Sequence, residues 1–400
     1  MTTNPFKLLV DGFELKKNTT WAIRWIFGDS FYGPLPPSLP LTGGWFMLKF
    51  LHRIGILCAV GGAFFGMGLP GAAAGVSVMR QDILDFLIHH KDEFVSGQQI
   101  SDQLGISRTA VWKHIRALKQ RGYVIESYTK KGYCLREAPE LLSEKAILDG
   151  LQTKFVGRPV VYRERVDSTN NVAKKLADQG APEGTIIVAE EQTGGRGRIN
   201  RTFLSPYAKG VWFSLILRPD ISPMEVAKMT LLAAVAVARS IRRHGLADCG
   251  IKWPNDILVQ GRKMVGILTE LNGSAEKVNY IIMGIGVNTD IMADDLPEDL
   301  KSIVTSFARE GIRVSRLALL ETLLAEIERL YDTVCRQGFS QVLAEWRSLS
   351  CMLGQEVTVS SVNRTFSGMA RDIDENGNLL VDTAAGTEVV MAGDIHVRPV

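Results

Sequence analysis

From residue 79 onward, apolar residues recur at spacings that divide the chain into predictable elements. In Asp82–His90 the apolar residues from Ile83 to Ile88 follow helical spacing. Two more short helices follow, separated by Gly105, and then two short strands around a basic turn. These elements are Asp82–His90, Ser96–Leu104, Ser107–Gln120 and the strand pair within Tyr123–Leu135, whose turn is Thr129–Gly132. A polar break at Arg136–Glu140, which contains Pro139, ends this first group.

The central part of the chain, residues 141–349, alternates predicted strands with predicted helices. Strands are predicted at Val160–Arg165, Thr185–Glu190, Gly210–Leu217, Gly250–Trp253, Ile257–Val259, Gly266–Leu271 and Tyr280–Asn288. Helices are predicted at Ser168–Asp178, Pro223–Arg243 and Arg316–Arg336. This order predicts an α+β domain with a mixed sheet.

The last part of the chain, residues 350–400, has a strand pattern only. Alternating segments occur at Gln355–Ser360, Thr365–Asp372, Leu379–Asp382 and Glu388–Met391. Asn376-Gly377 is a strong hairpin signature. We expect a small β-barrel from about Ser350 to Val400.

Residues 1–78 form an extension that matches none of these domains. Ile54–Met79 carries no charged side chain and is long enough to span a bilayer, which takes roughly 20 apolar residues. It lies too deep in the chain for a simple signal peptide. Three interpretations fit: a membrane anchor, a buried or unstructured appendage, or a start codon assigned too early. We favour the third, with Met79 as the first residue, because the amphipathic pattern of residues 79–138 begins there.

Composition narrows the class of protein. The chain has 400 residues, with 46% hydrophobic and 22% charged residues, as in globular proteins of two to four domains. The net charge of +3 is small, so any nucleic-acid contact must come from a local patch. None of the five cysteines stands in a C-x-x-C pair, which disfavours a zinc site or a redox dithiol. Scattered cysteines fit a reducing compartment, and we expect a cytoplasmic protein without a membrane anchor.

A local basic patch coincides with a predicted helix-turn-helix at Gly97–Arg116. Gly105 provides the turn, and Ser107 the cap of the second helix. Between Arg108 and Lys131, seven Lys or Arg residues stand against a single acidic residue. The candidate DNA-binding residues are Ser107, Arg108, Thr109, Trp112, Lys113 and Arg116, with Lys130 and Lys131 in a basic wing. A module for protein contacts or dimerisation is the alternative interpretation, which the charge excess disfavours.

A glycine-arginine segment follows the predicted strand at Thr185–Glu190. Gly194–Arg201 combines glycines, which let backbone N–H groups approach an anion, with arginines, whose planar guanidinium groups match phosphate. An arginine-rich surface loop or an RNA-contact loop would have the same composition.

Two further segments carry candidate polar groups. Asp167-Ser168-Thr169-Asn170 precedes a predicted helix, where Ser168 or Asp167 caps the helix and the remaining groups suit a small polar head such as a ureido ring. Lys252-Trp253-Pro254-Asn255-Asp256 places a cation beside an aromatic ring and an acidic residue in a turn, which suits an anion next to a flat apolar group and a metal-bound partner. Ordinary helix capping and an ordinary strand-turn are the competing interpretations.

Taken together and in this order, these segments resemble the catalytic core of bacterial biotin protein ligases. The resemblance is carried by Asp167–Asn170, Gln192, Gly195–Arg201, Lys252–Asp256, Gly261–Leu268 and Gly284–Asn288. With the helix-turn-helix and the C-terminal barrel, residues 79–400 are similar to the bifunctional type that also represses the biotin operon. The resemblance implies a winged helix-turn-helix, a class II synthetase-like ligase domain and an SH3-like barrel.

The resemblance also implies a reaction and its site residues. Biotin and Mg-ATP would form biotinyl-5′-AMP, and a lysine of the biotin carboxyl carrier domain of acetyl-CoA carboxylase would then take the biotin. Arg198 and Lys252 are the expected catalytic residues. The expected binding residues are Ser168, Thr169, Asn170, Gln192, Gly195, Arg196, Gly197, Arg198, Lys252, Asn255, Asp256, Gly266 and Asn288. No residue is assigned to the Mg²⁺. A homodimer of the adenylate-bound protein and operator DNA of biotin genes are the expected partners.

The segment departs from the family pattern at one place. The loop of the best-known members continues Gly-Arg-Gly-Arg-Arg-Gly-Arg, whereas Ile199 and Asn200 stand here in place of the middle Arg-Gly. We expect this change to alter adenylate retention, dimerisation and repression. Two other functions stay open at this point: a biotin-sensing transcription factor without catalysis, and a lipoate or octanoate transferase. The arginines and Lys252 disfavour the first, and the Lys252–Asp256 segment disfavours the second.

Overall fold

The computed structural model describes residues 82–198, 201–360, 364–392 and 396–399. The apolar segment Ile54–Met79, and with it the choice among the three interpretations of residues 1–78, lies outside the described residues, as do Ile199 and Asn200. Among the described helices, none is both long enough and apolar enough to cross a membrane.

The first group is a helix-turn-helix with a two-stranded wing. Its elements are residues 82–89 (α1), Gly97–Leu104 (α2), Arg108–Gln120 (α3), Val124–Tyr128 (β1) and Gly132–Glu137 (β2). Ser96 and Gln99 form a capping box on α2, and Gly105 ends that helix in the left-handed conformation with φ 64°. Ser107 caps α3 by accepting a hydrogen bond from the backbone N–H of Ala110. Apolar side chains from every element form one separate core.

The central domain is built on a seven-stranded mixed sheet. Its strands are Val160–Val166 (β3), Ile186–Gln192 (β4), Gly210–Leu217 (β5), Gly250–Lys252 (β6), Asp256–Val259 (β7), Arg262–Gly273 (β8) and Val278–Asn288 (β9). The strand order is β3-β4-β5-β9-β8-β7-β6. Only β3 and β4 are parallel, and the other neighbours are antiparallel.

Helices cover both faces of this sheet. The helices are Glu144–Gly150 (α4), Thr169–Asp178 (α5), Val226–Arg243 (α6), Arg316–Gln337 (α7) and Ser340–Leu349 (α8). α6 packs on β8 with α7 and α8 behind it, and the resulting large core extends into the C-terminal domain. α5 lies on the opposite face, where Ala173 and Ala177 contact the sheet. The N-terminus of α5 therefore opens onto the face of the sheet that the large helices leave uncovered.

The C-terminal domain is a small antiparallel sheet of five strands: Glu356–Ser360 (β10), Thr365–Ile373 (β11), Leu379–Thr383 (β12), Gly386–Val390 (β13) and His396–Pro399 (β14). Asn376 and Gly377 make the predicted turn between β11 and β12. The indole N–H of Trp253 donates to the carbonyl of Gly377 at 3.0 Å, and Trp253 is buried. The interpretation of Trp253 as a ring beside a bound anion is thus wrong, because this side chain anchors the C-terminal sheet.

Arg121 connects helix α3 to the central domain. Arg121, at the C-terminus of α3, contacts the carboxylate of Glu164 on β3, and its guanidinium carbon lies 4.9 Å from the ring centroid of Tyr207. Tyr207 follows the glycine-arginine segment by six residues. The helix-turn-helix module therefore contacts the chain segment that leaves this loop.

The α+β class and the order of domains are confirmed, and each predicted strand of the central sheet is present within a few residues. The sequence analysis missed α4, α8 and β14. α4 and β14, with 7 and 4 residues, are too short to show a clear period beside their neighbours, whereas α8, with 10 residues, is as long as the predicted helix α5.

Candidate active site

A small pocket of about 40 Å³ lies between the N-terminus of α5, the glycine-arginine loop, and strands β8 and β9. Eight residues predicted for the site line it: Ser168, Thr169, Asn170, Gln192, Arg196, Gly197, Asn255 and Gly266. The structure thus brings together residues that are up to 98 positions apart in the chain. Phe203, Lys263 and Gly284 also line the pocket, although they were not among the predicted site residues.

Ser168 stands at the N-cap of α5 but does not cap it. Its backbone is extended, and its side chain makes no capping hydrogen bond. The Asp167 carboxylate accepts a hydrogen bond from Asn171 instead, and this bond lowers the pKa of Asp167. The prediction that Ser168 or Asp167 caps the helix through its side chain is therefore wrong. Ser168 contributes to the wall of the pocket.

A network of short hydrogen bonds orients the polar side chains behind Ser168. The Gln192 side-chain oxygen accepts from the backbone N–H and the hydroxyl of Thr169, at 2.9 and 3.0 Å. Ser214 Oγ lies 2.7 Å from Thr169 Oγ1 and 2.6 Å from Asn170 Oδ1. Since Thr169, Asn170 and Ser214 are buried, their orientation is set by these partners before any ligand arrives. Ser214 lies in a strand of buried residues, and nothing in the sequence distinguished it from the core.

Three glycines allow other side chains to approach the sheet closely. A Cβ at Gly284 would stand 2.1 Å from Asn170 Oδ1. A Cβ at Gly266 or at Gly286 would stand within 2.8 Å of the ring of Phe203. The glycines of the segments 261–268 and 284–288 thus make room for Asn170 and Phe203, which form the floor of the pocket.

The glycine-arginine loop folds back on itself. The Gly197 N–H donates to the Arg201 carbonyl at 2.7 Å, and the Phe203 N–H donates to the Gly195 carbonyl at 2.8 Å. Gly195 stands at a point of close approach, because a Cβ there would lie 2.3 Å from the Phe203 carbonyl oxygen. The loop is thereby held as a tight turn beside the pocket.

Arg196 and Arg198 of the loop have different partners. Arg196 NH2 donates to Asn171 Oδ1 at 2.6 Å and lies 3.6 Å from Glu270 Oε2. Arg198 NH1 donates to Asn255 Oδ1 at 3.2 Å. Arg198 also lines a second cavity of about 220 Å³ between α6, β8 and the C-terminal sheet. Because both cavities contact Ile267 and Leu268, they are neighbours along β8.

Lys263 is the basic residue that sequence reasoning missed. Its Nζ lies 2.7 Å from Asp256 Oδ1 and 5.9 Å from the ring centroid of Phe203. A bulge inserts Met264 into β8 opposite the Ile257/Leu258 step of β7. An inserted residue reverses the alternation of side chains, so Lys263 lies on the face of Gly266 instead of the face of Val265. A bulge of this kind leaves no clear trace in a hydrophobic pattern.

The remaining predicted site residues do not line this pocket. Lys252 ends β6 opposite Asp256 of β7, and Gly195 and Arg198 belong to the loop. Asn288 ends β9, and its amide donates to the Thr305 carbonyl at 2.9 Å. Glu190, the last residue of the predicted strand before the glycine-arginine segment, belongs to a buried ion pair with Arg316.

The candidate DNA-reading surface is assembled as predicted on α3 and the wing. Arg108, Thr109, Lys113 and Arg116 are exposed, and Trp112 is 51% exposed, whereas Val111, Ile115 and Leu118 of the same helix are buried. Arg116 lies over the Trp112 ring at 5.7 Å. Lys130 and Lys131 are exposed at the turn of the wing, where Lys130 has φ 72°.

Family models match three parts of the chain. Residues 162–288 match the biotin/lipoate A/B protein ligase family, residues 79–134 match an HTH domain, and residues 352–398 match the biotin protein ligase C-terminal domain.

Whole relatives match the same parts in one chain. The bifunctional ligase/repressor BirA of Bacillus subtilis is 41% identical over 322 residues, which are 80% of this chain and 99% of that protein. The protein of the same name from Escherichia coli is 30% identical over 76% of this chain and 94% of its own length. The structure of the biotin protein ligase from Aquifex aeolicus in complex with biotin and ATP superposes with a TM-score of 0.53 at 26% identity, covering 60% of this chain and 99% of that one.

Proposed function

Because this chain belongs to the family of bifunctional biotin ligases and repressors, we propose that it joins biotin to a lysine of an acceptor protein at the expense of ATP and represses biotin synthesis genes. The observation that carries this proposal is the joint placement of Ser168–Asn170, Gln192, Arg196 and Lys263 around one pocket, with Arg198 at the neighbouring cavity. The acceptor is the biotin carboxyl carrier domain of acetyl-CoA carboxylase. The enzyme acts in the cytoplasm.

In the first step a biotin carboxylate oxygen attacks the α-phosphorus of ATP. The bond between that phosphorus and the bridging oxygen breaks, and pyrophosphate leaves with its electron pair. Both reactants are anions, so fixed cations lower the barrier by reducing their repulsion and by stabilising the charge that builds up on the phosphate. Lys263 lines the biotin pocket, and Arg198 stands at the neighbouring cavity. We assign these two residues to the carboxylate and the phosphate, and Lys252 to the phosphate side.

In the second step a neutral lysine amine of the acceptor attacks the acyl carbon of biotinyl-5′-AMP. The bond to the phosphate oxygen breaks, AMP leaves, and the amine loses its proton to water. Biotin supplies the nucleophile of the first step and the acceptor that of the second, so the chain needs no covalent nucleophile of its own. Its task is to orient the reactants and to keep water from the anhydride.

The pocket is smaller than its ligand requires. Ligand sites enclose about 300 Å³ or more, whereas this pocket holds about 40 Å³. The glycine-arginine loop and Phe203 narrow it, so biotin enters when this loop swings away. The loop then closes over the adenylate.

The residues around Asp256 fit the Mg²⁺ that accompanies ATP. Asp256 Oδ1 is buried and accepts no hydrogen bond of ordinary geometry, although Lys263 Nζ lies 2.7 Å away. Mg²⁺ bound with a nucleotide takes only one or two carboxylates from the protein and fills its other positions with phosphate and water. Asp256 would hold the ion, which would neutralise part of the triphosphate charge.

A biotinylation assay tests the enzymatic part of the proposal. Purified protein, biotin, Mg-ATP and an acceptor domain are expected to give a product that streptavidin detects. Omission of ATP and an acceptor whose target lysine is replaced by arginine are the controls. The ligase proposal fails if no labelled product and no pyrophosphate appear. If lipoate competes for the enzyme better than biotin does, lipoate is the substrate.

A binding assay tests the regulatory part. Operator DNA from biotin synthesis genes is expected to bind more tightly when biotin and ATP are both present, and sedimentation is expected to show a dimer under the same conditions. Equal affinity with and without the two ligands would contradict a biotin-responsive repressor and leave the ligase proposal intact.

A further inference from the structure

A carboxylate stands beside a pocket that is otherwise built for anions. Glu270 lies on β8, on the same face as Gly266 and Leu268, and its side chain is 21% exposed. The ligands of the proposed reaction carry carboxylate and phosphate groups, which an isolated Glu270 would repel. Glu270 is therefore unsuited to bind these anions directly. The groups of the protein that contact Glu270 must explain why a carboxylate stands here.

Those partners are three groups of the protein. Glu270 Oε1 accepts from Lys174 Nζ at 2.6 Å, and Oε2 accepts from Asn170 Nδ2 at 2.7 Å. Arg196 NH2 lies 3.6 Å from the same Oε2. Burial raises the pKa of Glu270, but the hydrogen bonds from Lys174 and Asn170 and the nearby positive charges lower it further, so the pKa lies below its ordinary value. Glu270 is thus a charged carboxylate that contacts Arg196 of the loop and Asn170 of the pocket.

The second anchor of Arg196 comes from α5. Asn171 Oδ1 accepts from Arg196 NH2 at 2.6 Å, while Asn171 Nδ2 donates to the Asp167 carboxylate at 2.6 Å. One nitrogen of Arg196 is therefore shared between the helix and the strand on either side of the pocket. A guanidinium group has five N–H donors, so this attachment leaves donors for a ligand.

We propose that Glu270 is a positioning residue for the ligase reaction: through Arg196 it holds the glycine-arginine loop in place and so sets how long the biotinyl adenylate stays bound. Its carboxylate and the Asn171 amide form a latch for Arg196. Asn170 joins the latch to the pocket, because its Nδ2 is bound to Glu270 while its Oδ1 lies 2.6 Å from Ser214 Oγ. Movement of the loop and the shape of the pocket are thereby linked through the side chain of Glu270.

Glu270→Gln is the direct test, since glutamine keeps the size of the side chain and removes its charge. Loss of the negative charge that faces Arg196 at 3.6 Å is expected to release preformed biotinyl adenylate about tenfold faster. Glu276→Gln, an exposed position in the following turn, is the matched control and is expected to release the adenylate at the parent rate. Asn171→Ala removes the other half of the latch and is expected to act in the same direction if Glu270→Gln does not fold.

A double-mutant comparison separates positioning through Arg196 from a general structural role. If Glu270 acts through Arg196, adding Glu270→Gln to Arg196→Ala changes the release rate little beyond the single change. The proposal would be overturned if the release rate of the double variant rose by the product of the two single-variant increases. It would also be overturned if Glu270→Gln left the release rate unchanged.

A readout that needs no catalysis completes the test. This inference rests on the proposed ligase function for its kinetic part, but the latch is present in the chain without ligand. Amide hydrogen exchange of residues 194–203 is therefore expected to accelerate in Glu270→Gln without biotin or ATP, and unchanged exchange would contradict the latch. If the parent protein makes no adenylate, the ligase proposal fails. The hydrogen-exchange comparison of the parent and Glu270→Gln then still tests the latch.

Discussion

The Lys263 ammonium group lies 2.7 Å from the Asp256 carboxylate, across the irregular register of β7 and β8. The proposed function uses both groups, Lys263 as a cation for the reacting anions and Asp256 as a carboxylate for the metal that accompanies ATP. The two side chains face each other as an ion pair. Binding of Mg-ATP and biotin is expected to separate them.

Lys263→Met is expected to slow adenylate formation by about 100-fold or more, the effect of removing one fixed group that stabilises developing charge. Pyrophosphate release measures this step. Lys277→Met, an exposed lysine before β9, is the matched control. A parent-like rate for Lys263→Met would transfer the catalytic role to Lys252.

Arg198→Ala is expected to weaken retention of the adenylate more than the stability of the protein. Arg198 is partly buried, donates to the Asn255 side chain at 3.2 Å and lines a cavity outside the apolar core, so its replacement leaves the core intact. The dissociation rate of biotinyl adenylate and the thermal midpoint of the ligand-free protein are the two measurements. An equal loss in both would contradict a role in closing the loop.

Gly284→Ala is expected to weaken biotin binding by at least about tenfold, because the new methyl group would stand 2.1 Å from Asn170 Oδ1 and force that side chain out of its network. Titration calorimetry with biotin alone measures the effect. Gly97→Ala, where the nearest neighbour is at 3.4 Å, should leave biotin affinity unchanged. Normal affinity of Gly284→Ala would show that Asn170 is not a binding determinant.

Arg316→Met is expected to destabilise the central domain by about 3–5 kcal/mol, because it leaves the buried Glu190 carboxylate without its cation. Arg316 NH2 lies 2.7 Å from Glu190 Oε2, and the two side chains are 4% and 0% exposed. Urea unfolding measures the free energy of unfolding. Adding Glu190→Gln should recover part of the loss, whereas strictly additive losses would argue against a coupled pair.

Lys113→Ala is expected to weaken DNA binding across sequences and to lower the slope of log affinity against log salt by about 1. Lys113 is exposed on α3, far in sequence from the ligase pocket. Fluorescence anisotropy at several salt concentrations gives the slope, and biotinylation should remain at the parent rate. Lys145→Ala on α4 is the exposed control, and an equal change in that variant would deny Lys113 a phosphate contact.

Periodicity and motif order predicted much of the site. Ser168–Asn170 stand at the start of a helix, Gln192 ends a strand that the loop follows, and Asn255 follows another strand. Side chains at the ends of elements of one sheet converge on one region, so their grouping could be expected from local pattern alone. The same pattern predicted a basic α3 with a buried apolar side, because helical spacing separates Lys113 from Val111.

The sequence by itself determined the class of fold and the order of the domains, since these depend on local periodicity and on turn chemistry. Many of the residues that surround the pocket followed from the resemblance of its motifs to a known family. Only the tertiary structure decided which of them touch. Trp253 became an anchor for the turn at Gly377, and a single inserted residue in β8 turned Lys263 towards the pocket. Arg196 was brought to Glu270, 74 positions away. Contacts of this kind depend on strand register and on the distance between packed elements, which a one-dimensional pattern of polar and apolar residues does not encode.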